Sequence, residues 1–356
     1  MTTTEDLAIN NILNSVAERG ATDIHFAVGS NPYFRINDRL ITLSEAKVTT
    51  PAFMETLIKF FVPEKKQELL RQSKELKFVY NWLDKARFRV NVFQQKGYYA
   101  VSLKLILPQI KTVAELSLPK IVNSFTAVEK GLIIISGPYN SGRSTTLAGI
   151  LETINRNRSE RIVYLENPVE QLFVNQRSII EQREIGTDVI SFSEGLQSLK
   201  EEDVNVVAIS RVDCLETLEL VLELSVSGRL VLVIMDYDTS LSCLTGMISE
   251  FPEAKKEWVR NVLADYLVGL VVQRLVPGVG EMVLAAEILT ASSSSKALIA
   301  EGRFNQLESI IQTSRIEGMM SLDYSLANLV KAGRISQDVA LKYAQNPRTL
   351  SSMLAK

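Results

Sequence analysis

Residues 131–146, Gly-Leu-Ile-Ile-Ile-Ser-Gly-Pro-Tyr-Asn-Ser-Gly-Arg-Ser-Thr-Thr, constrain this chain more than any other stretch. An apolar run of strand composition feeds a Gly-bounded loop, and the loop runs into a segment that suits a helix. The spacing Gly137-x4-Gly142-basic-Ser144 is that of a phosphate loop. In such a loop backbone N–H groups ring the phosphates, a lysine bridges the outer two and a hydroxyl holds magnesium. The candidate nucleotide-binding residues are therefore Gly137, Pro138, Tyr139, Asn140, Ser141, Gly142, Arg143, Ser144 and Thr145, with Ser144 the magnesium ligand where magnesium binds. The lysine position holds Arg143. A guanidinium is planar and bulkier than an ammonium, so it pairs with phosphate but cannot take a point-charge site without displacing the ligand. Phosphate binding is expected to survive this substitution better than phosphoryl transfer.

Composition limits what surrounds the loop. A chain of 356 residues, 46% hydrophobic and 22% charged, is globular and long enough for two or three domains. Lys+Arg 39 against Asp+Glu 41 leaves a formal net charge of -2, so no global basic field points to nucleic acid or an anionic membrane. Cys214 and Cys243, with no signal-peptide pattern over residues 1–5, lead to an expectation of free thiols in a cytoplasmic protein. The longest apolar runs, 230–235 and 266–272, fall far short of a spanning helix, so any peripheral association with a membrane is expected to come through partners rather than insertion.

Along the chain, Leu7, Ile9, Ile12, Leu13 and Val16 recur at helical spacing before Gly20. Short alternating segments follow around a helix near 51–61, which together predict a small α+β domain. His25 is the only histidine, and without Cys or His companions it reads as a structural, hydrogen-bonded residue rather than a metal ligand. Arg87 and Arg89 alternate with apolar residues and share one strand face. They are either solvated or able to reach a phosphate across an interface, and the solvated reading is the more ordinary. Periodicity fails over 107–119, which suits a linker. Beyond the phosphate loop, 161–165 reads as a strand ending at Glu166, where a carboxylate either orients an attacking water or sits on the surface before a turn. Residues 204–209 and 230–235 read as further buried strands, followed by Ser210-Arg211-Val212-Asp213 and by Asp236-Tyr237-Asp238. Ser292–Ser295, 321–330 and 336–344 read as capped helices, the last closed by Pro347.

The order of these features resembles the twitching-motility retraction ATPase (PilT-like) branch of the type II/type IV secretion ATPases over about residues 5–350. The matching pieces are Ala21-Thr-Asp-Ile-His25, Ala86-Arg-Phe-Arg-Val-Asn91, the phosphate loop, Glu166-Asn-Pro-Val-Glu170, Glu181-Gln-Arg-Glu-Ile-Gly186, Ser191-Phe-Ser-Glu-Gly-Leu196 and Ile310-Ile-Gln-Thr313. The resemblance implies an α/β fold: a PAS-like α+β domain over 1–106, a linker over 107–119, a RecA-like P-loop motor domain over 120–290 and a helical part over 291–356. It also implies a hexamer with ATP or ADP between subunits, in which Arg87 and Arg89 would be interface arginines. Inner-membrane pilus or secretion platform proteins would be its partners.

The same resemblance exposes departures. The acidic box keeps Glu166 but has Asn167 in place of Asp; the Walker B segment aligns with Ser210-Arg211-Val212-Asp213-Cys214, so Arg211 stands where the magnesium-side Glu belongs; and the histidine box aligns with Ile234-Met235-Asp236-Tyr237. Glu166 and Asp213 are the remaining catalytic candidates. A single positioned charge at a phosphoryl-transfer site is worth about 10²–10³ in rate. An arginine at the metal position repels a cation, so magnesium is disfavoured. The expected protein binds nucleotide with weak or absent hydrolysis and works with an active PilT-like paralogue in a homo- or hetero-hexamer. The alternative is an active retraction motor in which Glu166, Asp213 or Asp236 recruits magnesium by another geometry.

Overall fold

The computed structural model describes residues 4–36, 39–43, 46–83, 85–106 and 109–355; residues 1–3, part of the amino-terminal stretch read above, and residues 107–108 of the expected linker lie outside them. Among the described residues the chain forms two compact units, Met1–Gln109 with Pro168–Leu172, and Ile110–Asn167 with Phe173–Lys356.

The first unit opens with α1 (Thr4–Arg19), β1 (Asp23–Ala27), β2 (Tyr33–Ile36) and β3 (Arg39–Thr42). It continues with α2 (Pro51–Phe61), α3 (Glu64–Ser73), β4 (Glu75–Trp82), β5 (Ala86–Gln95) and β6 (Tyr98–Ile106). The strands form an antiparallel sheet in the order β3-β2-β1-β6-β5-β4. Burial alternates along β5, as a sheet with one covered face requires. Phe88, Val90 and Val92 share a core with Leu13 and Val16 of α1 and Leu57 and Phe61 of α2. The α2 boundary follows from Thr50, whose hydroxyl accepts from Phe53 N at 3.1 Å, and from Pro51 at the first turn. Helix α3 has no counterpart in the sequence reading, because it is polar almost throughout and buries only Leu70. His25 Nδ1 lies 3.0 Å from Ser102 Oγ, and burial holds the imidazole below its ordinary pKa, as a structural histidine should behave.

The second unit runs α4 (Lys120–Phe125), β7 (Gly131–Ser136), α5 (Arg143–Asn157), β8 (Arg161–Glu166), β9 (Ile179–Glu184), α6 (Phe192–Leu199), β10 (Val206–Ile209), α7 (Leu215–Val226) and β11 (Leu230–Met235). It continues with α8 (Ser240–Ser249), α9 (Glu253–Tyr266), β12 (Leu267–Pro277), β13 (Met282–Thr290), α10 (Ser293–Ala300), α11 (Leu307–Thr313), α12 (Leu322–Lys331), α13 (Gln337–Tyr343) and α14 (Pro347–Leu354). The sheet order is β13-β12-β7-β11-β10-β8-β9, parallel except for the β12–β13 hairpin. Strand β7 is buried at every residue, which explains its continuous apolar run: helices cover both faces of a parallel sheet. Leu132 and Ile134 enter one core, Ile133 and Ile135 the other.

The stretch 107–119 expected as a linker is half-open where described, with Lys111, Ala114, Glu115 and Ser117 exposed. Ile110 and Val113 are buried, and Val113 N donates to Thr153 Oγ1 of α5 at 3.0 Å. Helix α13 ends at Tyr343, short of Pro347, as the sequence leads one to expect, and Pro347 has a second role. It occupies the first turn of α14, with Asn346 Oδ1 accepting from Thr349 N at 3.1 Å, because proline is as well suited to opening a helix as to ending one. Ser292 caps α10 as expected, through a reciprocal bond pair with Ser295.

At the outer edge of the sheet the side chains form a closed charge network. Arg161 and Arg183 both bind Glu181 and Glu202, at 2.8–2.9 Å for the ion pairs. The hydrogen bond from Arg183 holds the Glu202 carboxyl down at about 2.

Candidate nucleotide site

Parallel strands bring their carboxyl ends to one edge, and the residues singled out from the sequence gather there: the loop after β7, Asp236 after β11, residues 210–213 after β10 and Glu166 at the end of β8. Ser136, the last residue of β7, anchors the loop to its neighbour. Its hydroxyl donates to Tyr237 O at 2.8 Å and accepts from Tyr237 N at 3.0 Å.

Two glycines set the turn. Gly137 has φ +145°, and a Cβ there would run into the Gln273 carbonyl oxygen and lie 2.7 Å from Ser141 Oγ. Gly142 has φ +86° and stands at the N-cap of α5, where it offers no side-chain cap. The first helical bond runs from Thr146 N to Gly142 O at 3.0 Å, so the amides of Arg143, Ser144 and Thr145 have no partner within the helix. These donors, with the helix dipole behind them, form an anion site made of backbone. Ser144 and Thr145 are exposed beside it, as are Tyr139 and Asn140; Pro138 is half-buried. Ser141 turns inward, and its hydroxyl is buried with no hydrogen-bond partner among the described residues. Its carbonyl accepts from the Nε2 of Gln273, a fully buried amide of β12, at 2.8 Å. Sequence reading did not single out Gln273. The available signal was one amide inside the apolar run of β12, since a buried polar side chain needs a bonding duty.

The side chains around this backbone are engaged in other ways. The Arg143 guanidinium donates to Met235 O at 2.6 Å and to the Asp236 carboxylate. Its side chain is only 13% exposed, against 72% for Asp236. Arg211 is exposed after β10. Asp213 accepts from Thr217 Oγ1 at 2.8 Å and so helps to start α7. Glu166 is buried, with its Oε1 accepting from Gln182 Nε2 of β9 at 2.8 Å. Asn167 is exposed.

Arg87 and Arg89 lie in the first unit with the segment Pro168–Leu172. Arg87 donates to Val169 O at 3.2 Å, and Arg89 pairs with Glu170 at 2.6 Å. The simple solvated reading is thereby corrected. The chain's own segment Pro168–Leu172 folds onto these arginines, offering one carbonyl and one carboxylate, which alternation along one strand could not reveal.

A strand, glycine loop and helix at the carboxyl edge of a mostly parallel, helix-covered sheet define a P-loop protein of RecA-like fold. The sequence pattern described as "Type II/IV secretion system protein" matches residues 3–329, and the chain belongs to that family, in its PilT-like branch. It is 29% identical over 340 residues to the type IV pilus retractation ATPase PilT of Pseudomonas aeruginosa, covering 95% of this chain and 98% of the relative. It is 27% identical to the type IV pilus ATPase PilU of the same organism, covering 96% of this chain and 90% of the relative. The solved pilus retraction motor PilT with bound ADP superposes with a TM-score of 0.85 at 31% identity, covering 97% of this chain and 99% of that one. Among the described residues no helix is long and apolar enough to cross a membrane.

Proposed function

We propose that this chain is a PilT-like subunit of a type IV pilus or related secretion machinery. It binds ATP or ADP, hydrolyses ATP weakly or not at all, and acts by assembling with, or regulating, an active paralogue. The observation that carries this reading is a complete phosphate loop whose one cation, Arg143, is held by Met235 O and Asp236. The loop fits phosphate: glycines at φ +145° and +86°, open first-turn amides, and a buried Ser141 hydroxyl still without a partner among the described residues. Magnesium fits poorly, since Arg211 stands at the expected acid and Asp213 is bonded to Thr217. The ADP carried by the related retraction motor supports nucleotide binding. Binding and orienting the phosphates fall to the loop amides and the hydroxyls of Ser144 and Thr145, and Glu166 is the residue able to hold a water at the end of β8.

The proposal includes the division into 1–106, 107–119, 120–290 and 291–356, a hexameric ring, a cytoplasmic place at the inner membrane through platform proteins, and Arg87 and Arg89 at a subunit interface. A second reading, the active motor, draws on the retained and buried Glu166. The test is titration of this protein into an active PilT-like ATPase while ATPase rate and native mass are followed. Mixed assemblies with a changed rate are expected. Separate masses, an unchanged rate and a hydrolysing hexamer of this protein alone would leave the motor reading standing.

A further inference from the structure

The pair formed by Arg143 and Asp236 joins two positions that both depart from the family pattern, the phosphate-loop lysine and the histidine box. They lie on neighbouring parallel strands' carboxyl ends, β7 leading into the loop and α5, and β11 ending at Met235. The register Ser136↔Met235 sets the two ends side by side, and the Ser136 hydroxyl bonds to Tyr237 fix the backbone just after Asp236. Arg143 is mostly buried while Asp236 is mostly exposed, so the carboxylate meets water freely and the guanidinium does not.

We propose that Asp236 is an internal competitor for nucleotide phosphate: it occupies Arg143 while the loop holds no polyphosphate, and binding requires the guanidinium to exchange this carboxylate for a phosphate oxygen. The inference rests on the nucleotide-binding reading above and adds the residue that sets its affinity. A planar guanidinium bonds a carboxylate and a phosphate through the same kind of donor, and the bonds to Met235 O and Asp236 both leave from Nη1, so a phosphate oxygen that takes this nitrogen displaces the carboxylate. The ligand class is a nucleoside di- or triphosphate. A monophosphate, resting on the loop amides alone, gains little from the exchange. Asp236 acts through Arg143 and is a positioning residue.

The experiment is calorimetric binding of ADP, AMP and inorganic pyrophosphate to the full chain and to Asp236→Asn, Arg143→Gln and the double variant, with circular dichroism confirming the fold of each. Asp236→Asn is expected to tighten ADP and pyrophosphate by about three- to tenfold, as release of one partly exposed charge pair allows. AMP should change less than twofold, and the Asp236→Asn gain should vanish in the Arg143→Gln background. If the parent chain binds ADP and Asp236→Asn leaves the affinity unchanged, weakens it, or tightens it equally with and without Arg143, the competitor role is overturned and nucleotide binding stands. If no variant binds ADP or pyrophosphate at millimolar concentration while all are folded, the nucleotide-binding reading falls and this inference with it.

Discussion

The phosphate loop and the acid-bearing edge beside it lie on one sheet, yet they are built from different materials. The loop is made of backbone: dihedrals at Gly137 and Gly142, amides at the start of α5, and a Gln273 amide bracing Ser141 O. The edge is made of side chains at the ends of β8, β10 and β11, and there the charged and polar groups bind one another. Arg143 binds Asp236, Asp213 binds Thr217, Glu166 binds Gln182, and Arg211 is exposed. Backbone geometry is protected by packing, because changing it disturbs the sheet that carries it. A side chain at a strand end can be exchanged at small cost to folding, so the proposed loss of hydrolysis would leave the fold and the loop in place.

That contrast can be broken most strongly at Gly137. Gly137→Ala puts a Cβ into the Gln273 carbonyl in a backbone region that L residues rarely adopt, and should cost at least about 2 kcal/mol of stability. Denaturant unfolding checks this, and ADP affinity should fall by more than tenfold. A neutral Gly137→Ala would mean that the loop is not the rigid partner in the comparison.

The smallest effect is expected far from the loop, in the Arg161–Glu181–Arg183–Glu202 network at the sheet edge. Glu202 is held at about 2, below its unfolded value, so its contribution is full above the ordinary carboxylate range and is lost as pH falls from about 4.5 towards 2. Glu202→Gln should lower stability by under about 1 kcal/mol at pH 7, as befits a partly exposed network that solvent screens, and the difference from the parent chain should shrink below pH 4. Acid titration of the unfolding midpoint for the two proteins is the measurement. A difference that is constant with pH would show that packing, not charge, is what the substitution removes.

How far the sequence could be read follows the same division. The loop was legible because its backbone demands appear as residue types at fixed spacing, with Gly137 and Gly142 either side of the turn. Strand β7 was legible because both its faces are buried. The partners of Arg143 and of Arg89 were not, since pairing residues 143 and 236, or 89 and 170, depends on sheet order and on how a loop folds back. Neither appears in a periodicity. Helix α3 escaped because a nearly all-polar helix carries little apolar stripe, and helix α14 escaped because a proline that follows one helix can also open the next.

The central claim, an anion site kept and a hydrolytic site lost, is tested most directly by measuring ADP affinity and magnesium-dependent phosphate release on the same preparation. The account predicts saturable ADP binding at micromolar or weaker affinity, with phosphate release at the background rate and unchanged by Glu166→Gln. Turnover comparable to that of an active PilT-like ATPase, abolished by Glu166→Gln, would contradict it.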